Sequence, residues 1–323
     1  MNEMNLSNDL FHANIATKAT RSGFGDALVE LAKKNTNIVV LTADLKESVK
    51  VADFAKNFPN RFIDVGVAEQ NMAGIAAGLA LSGKIPVMTS YATFSPGRNL
   101  DQIRASICYT NANVKIVSSN AGLSAVGDGA THQALEDIAI TRTLPNITVL
   151  IPADYEQAKR AIEAAIKIKG PVYIRIMKSD TPVFTTPETP FKVGAAQVLK
   201  EGTQISIIAS GTQVYEALLA AKELELKHKI DAEIINCHTI KPLDENTIVK
   251  SAQKTKLVIT VEEHQVAGGL GGAVAELLGE QFPTWVHKIG IQDTFGESGI
   301  YEDLLEKYGL TSKYIVNKVL EVI

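Results

Sequence analysis

The sequence predicts an α/β protein of two domains, a larger and a smaller one, each a mostly parallel sheet covered by helices. Three observations carry this. Short β-branched runs alternate with stretches of helical spacing, a proline- and threonine-rich segment breaks the alternation near residue 180, and the pattern then resumes over a shorter length. With 323 residues, 46% hydrophobic and 21% charged, the chain has material for two cores.

In the first half the strand candidates are NIVVLTAD, RFIDVG, KIPVMTSY, NVKIVSS, ITVLIPAD and PVYIRI. The segment KSDTPVFTTPETPF, with its three prolines, reads as a linker between domains. This places the first domain at 1–180, the linker at 181–192 and the second domain at 193–323. Beyond the linker, QISIIAS, DAEIINC, KLVITVEE and WVHKIG repeat the alternation.

The formal charge of −4 offers no global attraction to nucleic acid or to an anionic membrane, so an anionic ligand must meet a local cationic cluster. Cys108 and Cys237 lie far apart in apolar segments without zinc or redox spacing and read as buried free thiols. The N-terminus lacks a basic start followed by an apolar core, and no uncharged apolar run is long enough for a membrane span, so a cytoplasmic location is expected.

The stretch GVAEQNMAGIAAGLA is the most informative. Gly66 ends the strand RFIDVG with a sharp turn, and Met72, Ile75, Ala76, Leu79 and Ala80 then recur at helical spacing. Gly74 and Gly78 would let another backbone approach. Glu69 stands in the first turn of this nearly uncharged helix. A first-turn carboxylate satisfies free amides and the helix dipole, but an ionised carboxylate beside so apolar a helix is costly unless a partner shares its proton.

Two glycine-rich pieces follow. AGGLGGAVAELL, after KLVITVEE, is neither GxGxxG nor a Walker loop, and tight helix packing accounts for it better than phosphate binding. GLSAVGDGATHQALED is a loop in which Asp128 and His132 would converge on a ligand if it folds over a cleft. Turn chemistry for Asp128 and helix capping for His132 explain the same residues.

Taken in order, IATKATRSGFGDAL, TADLKES, RFIDVGVAEQNMAGIAAG, SYATFSPGRNLDQIR, DGATHQALEDIA, INCHTIKPLD and TVEEHQVAGGLGGAV resemble the C-terminal part of transketolase over nearly the whole chain. The resemblance implies a pyrimidine-binding domain followed by the family's C-terminal domain, with the diphosphate-binding domain on a separate partner. It implies thiamine diphosphate as cofactor and Mg²⁺ held mainly by that partner. The string Gly127-Asp128-Gly129 imitates the family's metal motif but lies in the region matching the substrate loop, without the downstream asparagine. No metal ligand is therefore assigned to this chain.

The resemblance also implies residue roles. Glu69 matches the glutamate that bonds the pyrimidine ring nitrogen and starts cofactor activation. Phe94, with Tyr91 second, matches the aromatic residues packed on that ring, and Phe94 would serve equally as core. Asp44 matches a position near the thiazolium, where a turn role is equally open. His132 and Asp128 match contacts to sugar oxygens. Arg21 and Ser48 match phosphate-binding positions. Two departures stand out: Asn120 replaces a phosphate-binding histidine, and Lys178 replaces an arginine, with Arg175 nearby. For Arg21 and Lys178, ordinary solvated surface charge is the competing reading.

The function implied is ketol transfer: a two-carbon unit passes from a ketose phosphate to an aldose phosphate, in an α2β2 assembly with the N-terminal subunit. The rivals are the β subunit of a 2-oxo acid dehydrogenase, a 1-deoxyxylulose-phosphate synthase half, and a non-catalytic interaction subunit. DGATHQALEDIA and INCHTIKPLD favour transketolase over the first, and joint retention of Glu69, Asp128 and His132 argues against the last.

Overall fold

The β-branched runs form strands whose residues are buried along their length, which requires cover on both faces and so produces helix–sheet–helix layering. The computed structural model describes residues 4–323. In chain order the strands are β1 (Thr17–Lys18), β2 (Ile38–Thr42), β3 (Phe62–Asp64), β4 (Ile85–Tyr91), β5 (Lys115–Ser119), β6 (Thr148–Leu150), β7 (Val172–Arg175), β8 (Thr181–Pro182), β9 (Gln197–Lys200), β10 (Ile205–Ala209), β11 (Ala232–Asn236), β12 (Thr239–Lys241), β13 (Val258–Gln265) and β14 (Val286–Ile291). The helices are α1 (Thr20–Lys34), α2 (Ala52–Asn57), α3 (Glu69–Leu81), α4 (Leu100–Gln102, continued by a π-helical segment, Ile103–Cys108), α5 (Asp137–Arg142), α6 (Tyr155–Lys167), α7 (Gln213–Glu223), α8 (Glu245–Thr255), α9 (Leu270–Gln281), α10 (Tyr301–Lys307) and α11 (Ser312–Val322).

The first sheet runs β12-β6-β7-β5-β4-β2-β3, with every pair parallel except the edge pair β12–β6. The second runs β14-β13-β10-β11-β9, parallel except at β9. These are the two sheets the alternation predicts. Strand β12 comes from the second half of the chain yet closes the edge of the first sheet, a pairing that no sequence pattern announces. It caps an exposed edge and locks the halves together.

On one face of the first sheet α1 packs against α6, with Phe24, Leu28, Ile162 and Ala165 in one core. Gly23 makes this approach possible, because a Cβ there would lie 2.2 Å from the Tyr155 carbonyl oxygen. On the other face Met72, Ala73 and Ala76 of α3 meet Ile103 and Ile107. Gly74 and Gly78 point away from this packing, with nothing within 4 Å of an added Cβ, and Val67 and Leu81 are exposed nearby. Among the described residues no backbone uses the approach that these glycines permit.

Asp154 caps α6. Its carboxylate accepts from the amides of Gln157 (2.9 Å), Phe184 (2.9 Å) and Thr185 (2.6 Å) and from the Thr185 hydroxyl (2.6 Å), so one side chain both starts a helix and fastens the connecting segment. Cys108 and Cys237 are buried free thiols, pushed up by burial to about 11 and about 12. No helix among the described residues is long and apolar enough to cross a membrane.

Candidate functional site

The glycine-rich piece at 267–272 is occupied by the protein itself. Glu262 accepts from the amides of Leu270 (2.7 Å) and Gly271 (2.8 Å) at the start of α9, and a Cβ on Gly269 would collide with its carboxylate. The anion-binding end of this helix is filled by a side chain, in keeping with a packing role.

The Glu69 corner forms where β3 turns into α3. Gly66 takes φ +67°, and Asp64 Oδ1 accepts from the amides of Gly66 (3.1 Å) and Asp44 (2.9 Å), tying this turn to the one after β2. Glu69 emerges with its side chain 4% exposed. Its partner is Arg98, whose Nη1 lies 3.3 and 3.4 Å from the two carboxylate oxygens. The Arg98 guanidinium also lies 3.8 Å from the Phe94 ring centroid. Asn99 Nδ2 donates to the Glu69 carbonyl at 3.1 Å and holds the segment after β4 against α3. Val67, Ala68, Glu69, Gln70, Asn71 and Arg98 line an open cavity of about 550 Å³.

Phe94 continues the site inward. Its ring stacks on Tyr91 (centroids 5.6 Å, 11°), and His132 meets both rings edge-on, at 5.3 Å from Phe94 and 6.3 Å from Tyr91. His132 Nδ1 lies 2.9 Å from the Thr131 hydroxyl. The loop 122–132 thus folds back onto the aromatic pair and brings together four of the expected residues: Glu69, Phe94, Tyr91 and His132.

The polar candidates fall into smaller groups. Lys178 Nζ pairs with Asp128 at 3.4 Å, and the Lys178 amide donates to Ser124 Oγ. Arg21 Nη1 donates to the Ser48 carbonyl at 2.7 Å, burial pushes its guanidinium down from the ordinary value, and its buried Nε has no partner among the described residues. Asn120 is fully buried at φ +54°, with Oδ1 receiving the Ser119 hydroxyl at 2.9 Å and Nδ2 unpartnered. Buried donors without acceptors are costly and suit a ligand that brings oxygens. Asp44, at φ +62°, is exposed and enters the hydrogen-bond network only through its amide.

Arg175 departs from expectation. It is buried, with Nε 2.9 Å from Asp137 Oδ2, while Tyr173 donates to the same carboxylate at 2.6 Å. Its guanidinium is therefore spent on a core ion pair and adds no cation beside Lys178. Sequence reasoning also passed over Arg98, although it lies inside the motif SYATFSPGRNLDQIR. Its contact with Glu69 joins residues 29 positions apart, beyond the reach of local periodicity.

This corner suits a flat, donor-bearing ring. The Arg98 guanidinium is such a group, planar and rich in N–H, and it already stacks on Phe94 while donating to Glu69. An aminopyrimidine presents the same two features, a π-face and N–H donors. No group of three or more His, Cys, Asp or Glu placed to hold a metal ion occurs among the described residues.

Comparison with known proteins places this geometry in a class. Residues 16–183 match the transketolase pyrimidine-binding domain and residues 194–315 the transketolase C-terminal domain. The chain belongs to the transketolase family, whose members depend on thiamine diphosphate, and corresponds to the C-terminal subunit of a split transketolase. It is 43% identical to the 6-deoxy-6-sulfo-D-fructose transketolase subunit SqwH of Clostridium sp., covering 98% of each chain. It is 38% identical to an apulose-4-phosphate transketolase subunit of Phocaeicola vulgatus, covering 94% of this chain and 97% of that one. A solved structure described as a split gene transketolase, inactive beta4 tetramer, superposes with a TM-score of 0.88 at 48% identity, covering 94% of this chain and 97% of the other.

Proposed function

We propose that this chain, assembled with a separate subunit carrying the diphosphate-binding domain, transfers a two-carbon ketol unit from a ketose phosphate to an aldose phosphate. The observation that carries the reading is the buried Glu69 carboxylate at an open cavity, flanked by the Phe94–Tyr91 pair with His132 edge-on to both rings.

Thiamine diphosphate, when bound, supplies a carbon nucleophile and an electron sink for the cleaved C–C bond. Glu69 would hold a proton at the pyrimidine ring nitrogen. Phe94, backed by Tyr91, packs on the ring face. His132 and Asp128 orient hydroxyl and carbonyl oxygens of the sugar. Arg21, Ser48, Asn120 and Lys178 receive its anionic end, with the free donors on Arg21 Nε and Asn120 Nδ2 favouring an oxygen-rich group. Asp44, in the turn after β2, would lie near the thiazolium side of the cofactor. Mg²⁺ and the diphosphate belong to the partner, and the assembly is α2β2.

The names of the relatives above include a sulfonated and a phosphorylated sugar, so the anionic end is the part of the substrate to vary. The test is transfer from xylulose 5-phosphate, and in parallel from 6-deoxy-6-sulfofructose, to an aldose phosphate with thiamine diphosphate and Mg²⁺. The chain is assayed alone and mixed with a candidate diphosphate-domain subunit. Transfer in the mixture only supports the reading. Activity of the chain alone overturns the division of the metal site, and an assembled, cofactor-bound pair that acts only on 2-oxo acids overturns ketol transfer.

A further inference from the structure

Glu263 is a buried acid for which ketol transfer has no use. It sits on β13 of the C-terminal domain, 3% exposed, yet its carboxylate reaches across the domain boundary. Oε1 accepts from the Leu123 amide at 2.6 Å, in the first turn of the loop 122–132, while Oε2 accepts from the Tyr301 hydroxyl at 2.5 Å and the Thr212 hydroxyl at 3.4 Å. The fit is tight: Gly122 takes φ +64°, and a Cβ there would lie 2.2 Å from Oε1. The Glu263 carbonyl meanwhile accepts from Arg175 Nη2 at 2.9 Å, tying the strand to the buried Asp137 pair.

The same loop is gripped further along. Ser298 Oγ donates to the Gly127 carbonyl at 3.3 Å, and just past the loop's end Gln133 Nε2 donates to the Glu297 carbonyl at 2.9 Å. Between the Leu123 and Gly127 contacts Val126 adopts φ +45°, ψ −110°, a conformation strained for a β-branched residue that persists only where surrounding contacts over-determine it. The strained residue stands two positions before Asp128 and six before His132.

We propose that Glu263 is a positioning residue: from the C-terminal domain it clamps the start of the loop 122–132 and so sets where Asp128 and His132 face the cleft. The clamp gives the C-terminal domain a part in substrate recognition as well as in assembly. Only its kinetic consequence rests on the ketol-transfer reading. Its structural consequence is independent of any activity.

The test compares Glu263→Ala, Glu263→Gln and Tyr301→Phe in the full chain by amide hydrogen exchange, and in the assembled pair by steady-state kinetics. In Glu263→Ala, exchange at Leu123 and through 124–132 rises at least tenfold while β10 and β4 stay protected. In Glu263→Gln it stays within threefold of the parent, since the amide oxygen still accepts from Leu123 and the amide nitrogen donates to Tyr301. Tyr301→Phe keeps the carboxylate and gives an intermediate rise, which decides the matter if the alanine variant does not fold. In the pair, KM for the sugar rises about tenfold in Glu263→Ala with kcat changed less than threefold and thiamine diphosphate affinity unchanged. Unaltered exchange across 122–132 in folded Glu263→Ala, or in Tyr301→Phe should the alanine variant not fold, overturns the clamp. Altered exchange without any ketol transfer by the assembled parent leaves the clamp standing and overturns the proposed reaction.

Discussion

Glu69 and Arg98 share the most consequential contact in the cleft. The carboxylate is buried while the guanidinium is half-exposed, so the pair is worth little to stability, on the order of 1 kcal/mol after solvent screening. Its interest lies in what Arg98 covers: the Phe94 face and the Glu69 oxygens, the groups that an aminopyrimidine would take in the proposed reaction. Glu69→Gln is expected to lower turnover of the assembled pair by about 10²–10⁴-fold, the usual worth of a positioned proton group, with the melting temperature nearly unchanged. Calorimetric titration tests the other partner: Arg98→Ala should tighten thiamine diphosphate binding roughly fivefold, the order of one screened ion pair and one cation–π contact no longer displaced. Weaker binding in that variant would make Arg98 a ligand contact instead. Glu69 was legible in the sequence because a carboxylate in so apolar a helix breaks the local pattern. Arg98 was not, because arginines on loops are common and only the fold reveals what they touch.

At the scale of elements, side-chain carboxylates decide how segments begin and where they attach. Asp154 starts α6 and simultaneously fixes Phe184 and Thr185 of the connecting segment. Replacing it with alanine leaves several buried amides without acceptors and should cost about 3 kcal/mol by urea denaturation, well beyond the ~1 kcal/mol of a simple helix cap. Asp137 is the parallel case inside the core: Asp137→Ala strands the Arg175 guanidinium and should destabilise by about 3–5 kcal/mol, where a double replacement of Asp137 and Arg175 by apolar residues should recover much of the loss. The strands and α3 were readable from apolar runs and spacing. Glu262 at α9 was half-readable, since weak motif spacing argued against phosphate without saying which anion fills the helix end. The three-residue strand β12 was invisible as a partner of β6, since a short apolar run carries no information about the sheet it joins.

Across the whole molecule, the boundary between the domains carries a titratable acid. Burial pushes Glu263 up from 4.5 to about 7, partly opposed by Arg175 and by the donors Tyr301, Leu123 and Thr212. The folded chain therefore holds this proton more tightly than the unfolded chain. The stability it contributes is complete below about pH 4.5 and is lost as pH rises through about 7, an effect on the order of 3 kcal/mol. Thermal melts of the parent and of Glu263→Gln between pH 5 and 8 check this: the parent should lose stability relative to the variant as pH rises, and parallel curves would refute it. By itself the sequence determined the α/β class, the two sheets and the family, and it singled out Glu69 as an unusual carboxylate in an apolar helix. Each follows from periodicity along the chain or from residue types in a fixed order. Only the tertiary structure decided that Arg98 covers Glu69, that Arg175 belongs to the core, that β12 crosses between halves and that Glu263 reaches the loop 122–132. Those facts depend on contacts between residues from 29 to 140 positions apart, which arise when sheets and helices pack and leave no periodic trace in the sequence.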